Sequence, residues 1–257
     1  MIKEYYRPKS VDEALKLLTD SEKSLSPLGG GTRISRHQAD YDGVVDLQDA
    51  GLDKITTQGQ IVKLGAMVRL DTLLSHEEIH PEIQRGIKID ASQNIRNMAS
   101  LGGWLVSSDG RSITTTLLLA LDAILTWQPG NIQLRIGDWL PVREFESPGV
   151  LMTAAEWKTQ PYLTFDYVAR SPKDKPILVV AAAQWGSGRT RIVLGGYGKM
   201  PIVAMDGTES QGADEACLDA YAEAEDAWAT ADYRRKVAAK LALRCLERID
   251  AIKESEV

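Results

Sequence analysis

The sequence predicts an α+β chain built in two parts. Up to about residue 160, strand-like and helix-like segments alternate; beyond it, three β-like runs precede two helical stretches. Two glycine-rich segments, Gly29-Gly30-Gly31-Thr32 and Leu101-Gly102-Gly103, punctuate the first part. We therefore expect one domain over residues 1–160, made of two α/β lobes over about 1–55 and 56–160, and a sheet-and-helix domain over 161–257.

The elements follow in order. Ser10-Val11-Asp12-Glu13 has the pattern of a capping box, and Val11, Ala14, Leu15 and Leu18 recur with helical spacing behind it. Ser24 to Leu28 is extended and runs into the first glycine turn, and Gly43 to Leu47 and Ile61 to Gly65 read as strands. Leu70 to Asp90 is helical with a break at Pro81, and the stretch from Ile95 ends in the second glycine turn at Gly102-Gly103. Leu117 to Leu121 closes a helix, and Ala123 to Trp127 continues as a strand. Leu163 to Arg170, Ile177 to Trp185 and Thr190 to Gly195 are β-like, with Gly186-Ser187-Gly188 as the hairpin between the last two. Helices over about Ala213 to Ala227 and Ala231 to Ile252 close the chain, and we expect them on one side of an antiparallel sheet.

Composition excludes several classes of function. The 257 residues carry a formal charge of -6 with dispersed Lys and Arg, which argues against nucleic-acid binding and against an anionic membrane. The N-terminus lacks the apolar run of a signal peptide, and Ile177 to Ala183 is far too short for membrane insertion, so a cytoplasmic protein is expected. Cys217 and Cys245 stand alone and cannot by themselves ligate an iron–sulfur cluster.

The glycine turns are the first candidates for chemistry. Consecutive glycines let backbone N–H groups approach an anion, and Thr32 and Ser100 add hydroxyl donors. Two such turns converging from separate strands would hold a diphosphate. Neither belongs to a Gly-x-Gly-x-x-Gly or P-loop pattern. His76-Glu77-Glu78-Ile79-His80 fits the letters of a zinc-protease motif, but Pro81 disfavours helical geometry at His80 and the remaining His37 lies in no supporting motif. No metal site is expected. No catalytic side chain is singled out either: Glu223, Glu225 and Asp226 read as a solvated helix face, and Trp139, Trp157 and Trp185 as packing.

An ordered series of segments resembles the FAD-binding subunits of the xanthine dehydrogenase and carbon monoxide dehydrogenase family. Tyr6 to Leu15 is similar to its opening helix, Leu28-Gly29-Gly30-Gly31-Thr32 to its first diphosphate turn, and Ile61 to Met67 to a following strand. Gln93 to Gly103 resembles the family's Gln-Ile-Arg-Asn-x-Ala-Thr-Ile-Gly-Gly-Asn, and Tyr233-Arg234-Arg235 with Arg244 resembles its last helix. The resemblance implies a two-part FAD-binding fold of the vanillyl-alcohol-oxidase type. It also implies partner subunits, a large one carrying molybdopterin and a small one carrying [2Fe–2S] clusters, assembled as a dimer of heterotrimers. Leu28, Gly29, Gly30, Gly31, Thr32, Arg33, Ile95, Ser100, Leu101, Gly102, Gly103, Trp104 and Asp109 are the cofactor-binding positions it implies.

Three positions depart from the family's pattern. Trp104 follows the second Gly-Gly where the family has Asn, Ile113 stands where it has an Asp that bonds the ribityl chain, and Arg33 follows the first turn where it has an acidic or polar residue. Three readings stay open: an FAD-bearing electron-transfer subunit, a cofactor-free assembly subunit that kept the fold, and a stand-alone flavin reductase.

Overall fold

The computed structural model describes residues 2–34, 41–145 and 149–256; His37 lies outside the described residues. Contacts divide the chain into two compact units. The first comprises residues 1–78, 91–107 and 124–157, and the second 79–90, 108–123 and 158–257. The second unit thus takes in two segments that precede the expected cut near residue 160.

The first unit contains two sheets. Strands β1 (Glu4–Tyr6), β2 (Leu25–Leu28) and β3 (Gly43–Asp46) form a parallel sheet in the order β1-β3-β2. Helix α1 (Val11–Leu18) joins β1 to β2. Ser10 caps it by accepting the Glu13 N–H, and the Glu13 carboxylate accepts the N–H of Lys9 at 2.7 Å, one residue before the position a capping box requires. Ala14, Val45, Leu47, Ala50 and Leu52 form the small core beneath. The second sheet has the order β4-β5-β8-β6-β7, from strands β4 (Ile55–Gln58), β5 (Ile61–Gly65), β6 (Ile124–Gln128), β7 (Ile132–Arg135) and β8 (Leu151–Lys158). Short helices α2 (Leu70–Leu73), α4 (Gln93–Met98), α5 (Leu101–Ser107) and α7 (Ile136–Trp139) complete this unit. Gly102 and Gly103 lie within α5, so the expected second glycine turn is a helix start.

The second unit is a four-stranded antiparallel sheet of β9 (Tyr162–Val168), β10 (Leu178–Gln184), β11 (Thr190–Gly195) and β12 (Ile202–Gly207), ordered β12-β11-β10-β9. All residues of β10 are buried, so both faces of the sheet are covered. Leu178, Val180 and Ala182 pack with α8 (Ala213–Ala220) and α9 (Ala231–Ser255). The opposite face meets α6 (Ile113–Ala120), which correspondingly has no exposed residue, so a helix from earlier in the chain covers the side that the two closing helices leave open. Helix α3 (Pro81–Asp90) packs against α6, and a Cβ on its Gly86 would lie 2.7 Å from Leu117 Cδ1. At its end, the Asp90 carboxylate accepts the N–H groups of Ile113 at 2.8 Å and Thr114 at 2.7 Å, and so caps α6. Burial pushes that carboxyl above its ordinary range.

One surface assignment changes: Asp226, expected on a solvated helix face, instead anchors the fully buried Arg234 of α9 at 2.7 Å. Cys217 and Cys245 sit in the core of this unit, where burial pushes each thiol up to about 12. Among the described residues no helix is long and apolar enough to cross a membrane.

Candidate functional site

In the first unit, the loop after β2 rests directly on the segment between α4 and α5. A Cβ on Gly29 would lie 2.4 Å from Ser100 Oγ, and one on Gly30 would lie 1.6 Å from the carbonyl oxygen of Met98. Both glycines are therefore required by the close approach of two chain segments. Gly31 has a different reason: space exists beside it, but its φ of +70° is costly for any residue with a side chain.

The amides of the two glycine segments differ in what they have left to offer. Leu101 N–H donates to Val68 O at 2.8 Å, Gly102 N–H to Ala66 O at 2.8 Å, and Gly103 N–H to Ser100 Oγ at 3.2 Å. The second segment has thus committed its amides to the fold. Among the described residues, the N–H groups of Gly29, Gly30, Gly31 and Thr32 meet no acceptor. Half-buried amides without partners are donors awaiting an anion or water.

Two cavities flank this loop, sharing Leu28, Gly29, Gly30, Gly31, Met67 and Ser100 as walls. One, of about 400 Å³, adds the polar and charged side chains Arg7, Gln48, Asp49, Asp53 and Arg69, with Met98 as a further apolar wall. The other, of about 300 Å³, is mostly apolar, with Leu47, Ala66, Trp127, Leu151 and Met152. Arg7 bonds Asp49 at 2.9 Å, and Lys9 also pairs with Asp49; hydrogen bonds from Lys9 and Arg7 hold that carboxyl below its usual range. An amide-lined turn between a charged hollow and an apolar one suits a molecule with an anionic middle and flat ring systems.

The expected positions distribute unevenly. Leu28, Gly29, Gly30, Gly31 and Ser100 line both cavities, and Thr32, Arg33, Gly102 and Gly103 line the apolar one. Leu101 is fully buried, and Ile95, half-buried on α4, borders neither cavity. Trp104 also borders neither; the Arg33 guanidinium stands 5.9 Å from its ring centre. Asp109 belongs to the second unit and bonds Lys175 at 2.6 Å. Arg111 packs 4.0 Å over Trp228 and pairs with Asp226. Arg69, Met67 and Met98 are not foreseeable from sequence, because an arginine or methionine after a strand or at a helix end carries no motif. His76 and His80 stand outside any helix, each accepting a backbone N–H two residues on, so the zinc-motif geometry is not built.

Residues 1–147 match the family described as FAD binding domain in molybdopterin dehydrogenase. The chain belongs to this family. It is 27% identical to the carbon monoxide dehydrogenase medium chain of Afipia carboxidovorans, with 96% of each chain covered. It is 26% identical to the protein YgfM of Escherichia coli K12, with 92% of each covered. Quinoline 2-oxidoreductase from Pseudomonas putida 86 has the same fold at a TM-score of 0.82 and 21% identity, covering 98% of both chains. The chain is thus an FAD-binding member of an oxidoreductase family, with the expected α+β architecture. Its residues fit a dinucleotide at the one place where, among the described residues of the two glycine segments, the fold leaves amides free. The Gly29–Thr32 loop presents these donors beside both cavities.

Proposed function

We propose that the chain is the flavoprotein subunit of a molybdenum-hydroxylase complex, in which it binds FAD and relays electrons from [2Fe–2S] clusters of a partner subunit to an external acceptor. The observation that carries this reading is the set of amides at Gly29, Gly30, Gly31 and Thr32, unpaired among the described residues, between a polar and an apolar cavity. In this reading Gly29 to Thr32 hold the diphosphate by backbone donors, and Ser100 Oγ, 3% exposed at the same wall, adds a hydroxyl. Leu47, Trp127, Leu151 and Met152 exclude water from the neighbouring hollow. FAD, when bound, supplies the redox chemistry itself. The molybdopterin-bearing large subunit and the [2Fe–2S] small subunit are the partners, in a cytoplasmic dimer of heterotrimers.

The name of the Afipia relative, a carbon monoxide dehydrogenase medium chain, supports the placement in a multi-subunit enzyme. A second reading, a cofactor-free assembly subunit, draws on the commitment of the Leu101, Gly102 and Gly103 amides within the fold. A visible absorption spectrum separates the two. We expect one FAD per chain after purification or after incubation with FAD, and large and small subunits recovered with the tagged chain from its native cells. A colourless chain that takes up no FAD overturns the first reading.

A further inference from the structure

We propose that Arg69 is the side chain that neutralises the anionic diphosphate held at the Gly29–Gly31 loop, a role that rests on the FAD reading above. Its position is set by the backbone. Arg69 forms an isolated antiparallel bridge with Ser100, locked on either side by Leu101 N–H to Val68 O at 2.8 Å and Leu70 N–H to Ala99 O at 3.0 Å. Residues directly opposed in such a pair project from the same face. Arg69 and Ser100 accordingly both line the polar cavity, together with Gly29, Gly30 and Gly31. Ser100 Oγ is the atom against which Gly29 packs, so the bridge carries Arg69 to the edge of the unpaired amides.

The guanidinium is also available. Its Nη1 donates to Asn97 O at 2.8 Å, and among the described residues no carboxylate pairs with it. Five N–H donors in a fixed fork leave most of the group to face an oxyanion, and that fork matches phosphate. The other cations near the loop are occupied: Arg7 is bonded to Asp49, and Arg33 lies over Trp104. Of the acidic groups in the cavity, Asp49 is matched by Arg7 and Lys9, which leaves Asp53 as the one acid that an incoming anion must avoid.

The test measures FAD affinity of the full chain by flavin-fluorescence titration at low and high salt, with thermal melting beside it. R69Q is expected to weaken FAD binding about ten- to hundredfold, the equivalent of one charge-assisted hydrogen bond. It is also expected to flatten the salt dependence and to leave the melting temperature within a degree or two. R69K keeps the charge without the fork, and should keep the salt dependence while recovering only part of the affinity. Wild-type protein that binds FAD alongside R69Q of equal affinity and equal salt dependence overturns the role of Arg69 and leaves the FAD reading standing. The role of Arg69 falls equally if R69Q does not fold and R69K binds FAD weakly without a changed salt slope relative to R69A. Wild-type protein that binds no FAD overturns both.

Discussion

Exchanging Gly30 for alanine adds one methyl group at the point where the two halves of the site touch. That carbon would sit 1.6 Å from the Met98 carbonyl oxygen, 2.4 Å from the Met98 carbonyl carbon and 3.0 Å from Ala99 N. All three are backbone atoms, so no rotamer change relieves the clash. The segment is pinned as well, since Leu70 N–H bonds Ala99 O and Leu101 N–H bonds Val68 O. Merely reaching a 3.0 Å separation from Met98 O requires a relative retreat of about 1.4 Å. Overpacking of a rigid site costs about 1–3 kcal/mol, and with backbone on both sides the upper end applies. For a chain of this size that lowers Tm by about 6–12 °C. The retreat also draws the Gly29–Thr32 amides away from Ser100, and losing even two bonds to a charged group, at about 1.5–3 kcal/mol each, weakens FAD at least about a hundredfold. Gly31→Ala is the internal control. Its Cβ has room, 3.7 Å from Leu28 Cδ1, and only the φ of +70° is penalised, by about 1–2 kcal/mol. Gly31→Ala should therefore lower Tm modestly and keep FAD affinity within about tenfold of wild type. The assays are thermal melting and FAD titration on both variants. Wild-type Tm and affinity in G30A, or a larger loss in G31A than in G30A, would refute the packing argument.

Two predictions concern the second unit. Arg234 is fully buried and donates to Ile177 O at 2.9 Å, Ala224 O at 2.7 Å, Ala229 O at 3.0 Å and Asp226 Oδ1 at 2.7 Å. Methionine there strands these acceptors and should cost about 3–5 kcal/mol, read as a fall in the urea midpoint; an unchanged midpoint contradicts it. Hydrogen bonds from Arg189, then Arg191, hold the Asp206 carboxyl at about 2, below its ordinary 3.8. A depressed carboxyl stabilises the fold fully above the unfolded value and loses that contribution as pH falls towards the folded one. Between pH 4 and 2 the wild type should thus lose about 1–2 kcal/mol that D206N has already forgone, and parallel melting curves for the two over that range exclude this.

Where local rules governed, the chain was legible from its residues. Ser10 caps α1 by the predicted bond, and Gly186 to Gly188 turn the hairpin between β10 and β11 through Gly188 N–H to Trp185 O. Alternation could not reveal β8, where Leu151 to Ala155 are all buried and no exposed–buried alternation marks the run. The second glycine segment misled for a related reason. Gly-Gly signals a turn when nothing packs on it, but a Cβ on Gly102 would meet Ala66 Cβ at 2.8 Å, so the residue serves a helix start pressed against the β5 connection. Arg234 could not be recognised as a core residue, because an arginine among arginines reads as solvated and one of its carbonyl partners, Ile177, lies 57 residues away. At the site, the glycines of the first loop could be named in advance; Arg69 could not, since its place depends on a single bridge to Ser100.

The departures from the family's pattern bear on cofactor binding through where they fall. Arg33 and Trp104 lie far apart in sequence, yet the guanidinium stands 5.9 Å from the ring centre. Each therefore supplies the other with a partner, and a cation exposed beside an anion site becomes one already engaged. Ile113 is fully buried, and the carboxylate serving its backbone is Asp90, which caps α6 from outside that helix. None of the three interrupts the Gly29–Gly31 loop, Ser100 or Met67, the walls common to both cavities. Because phosphate recognition by backbone donors needs the path of the chain rather than particular side chains, substitutions at Arg33, Trp104 and Ile113 leave that path intact. Their effect should be confined to which cation faces the diphosphate. With Arg33 beside Trp104 and lining only the apolar cavity, the proposal above gives that duty to Arg69, which lines the other one.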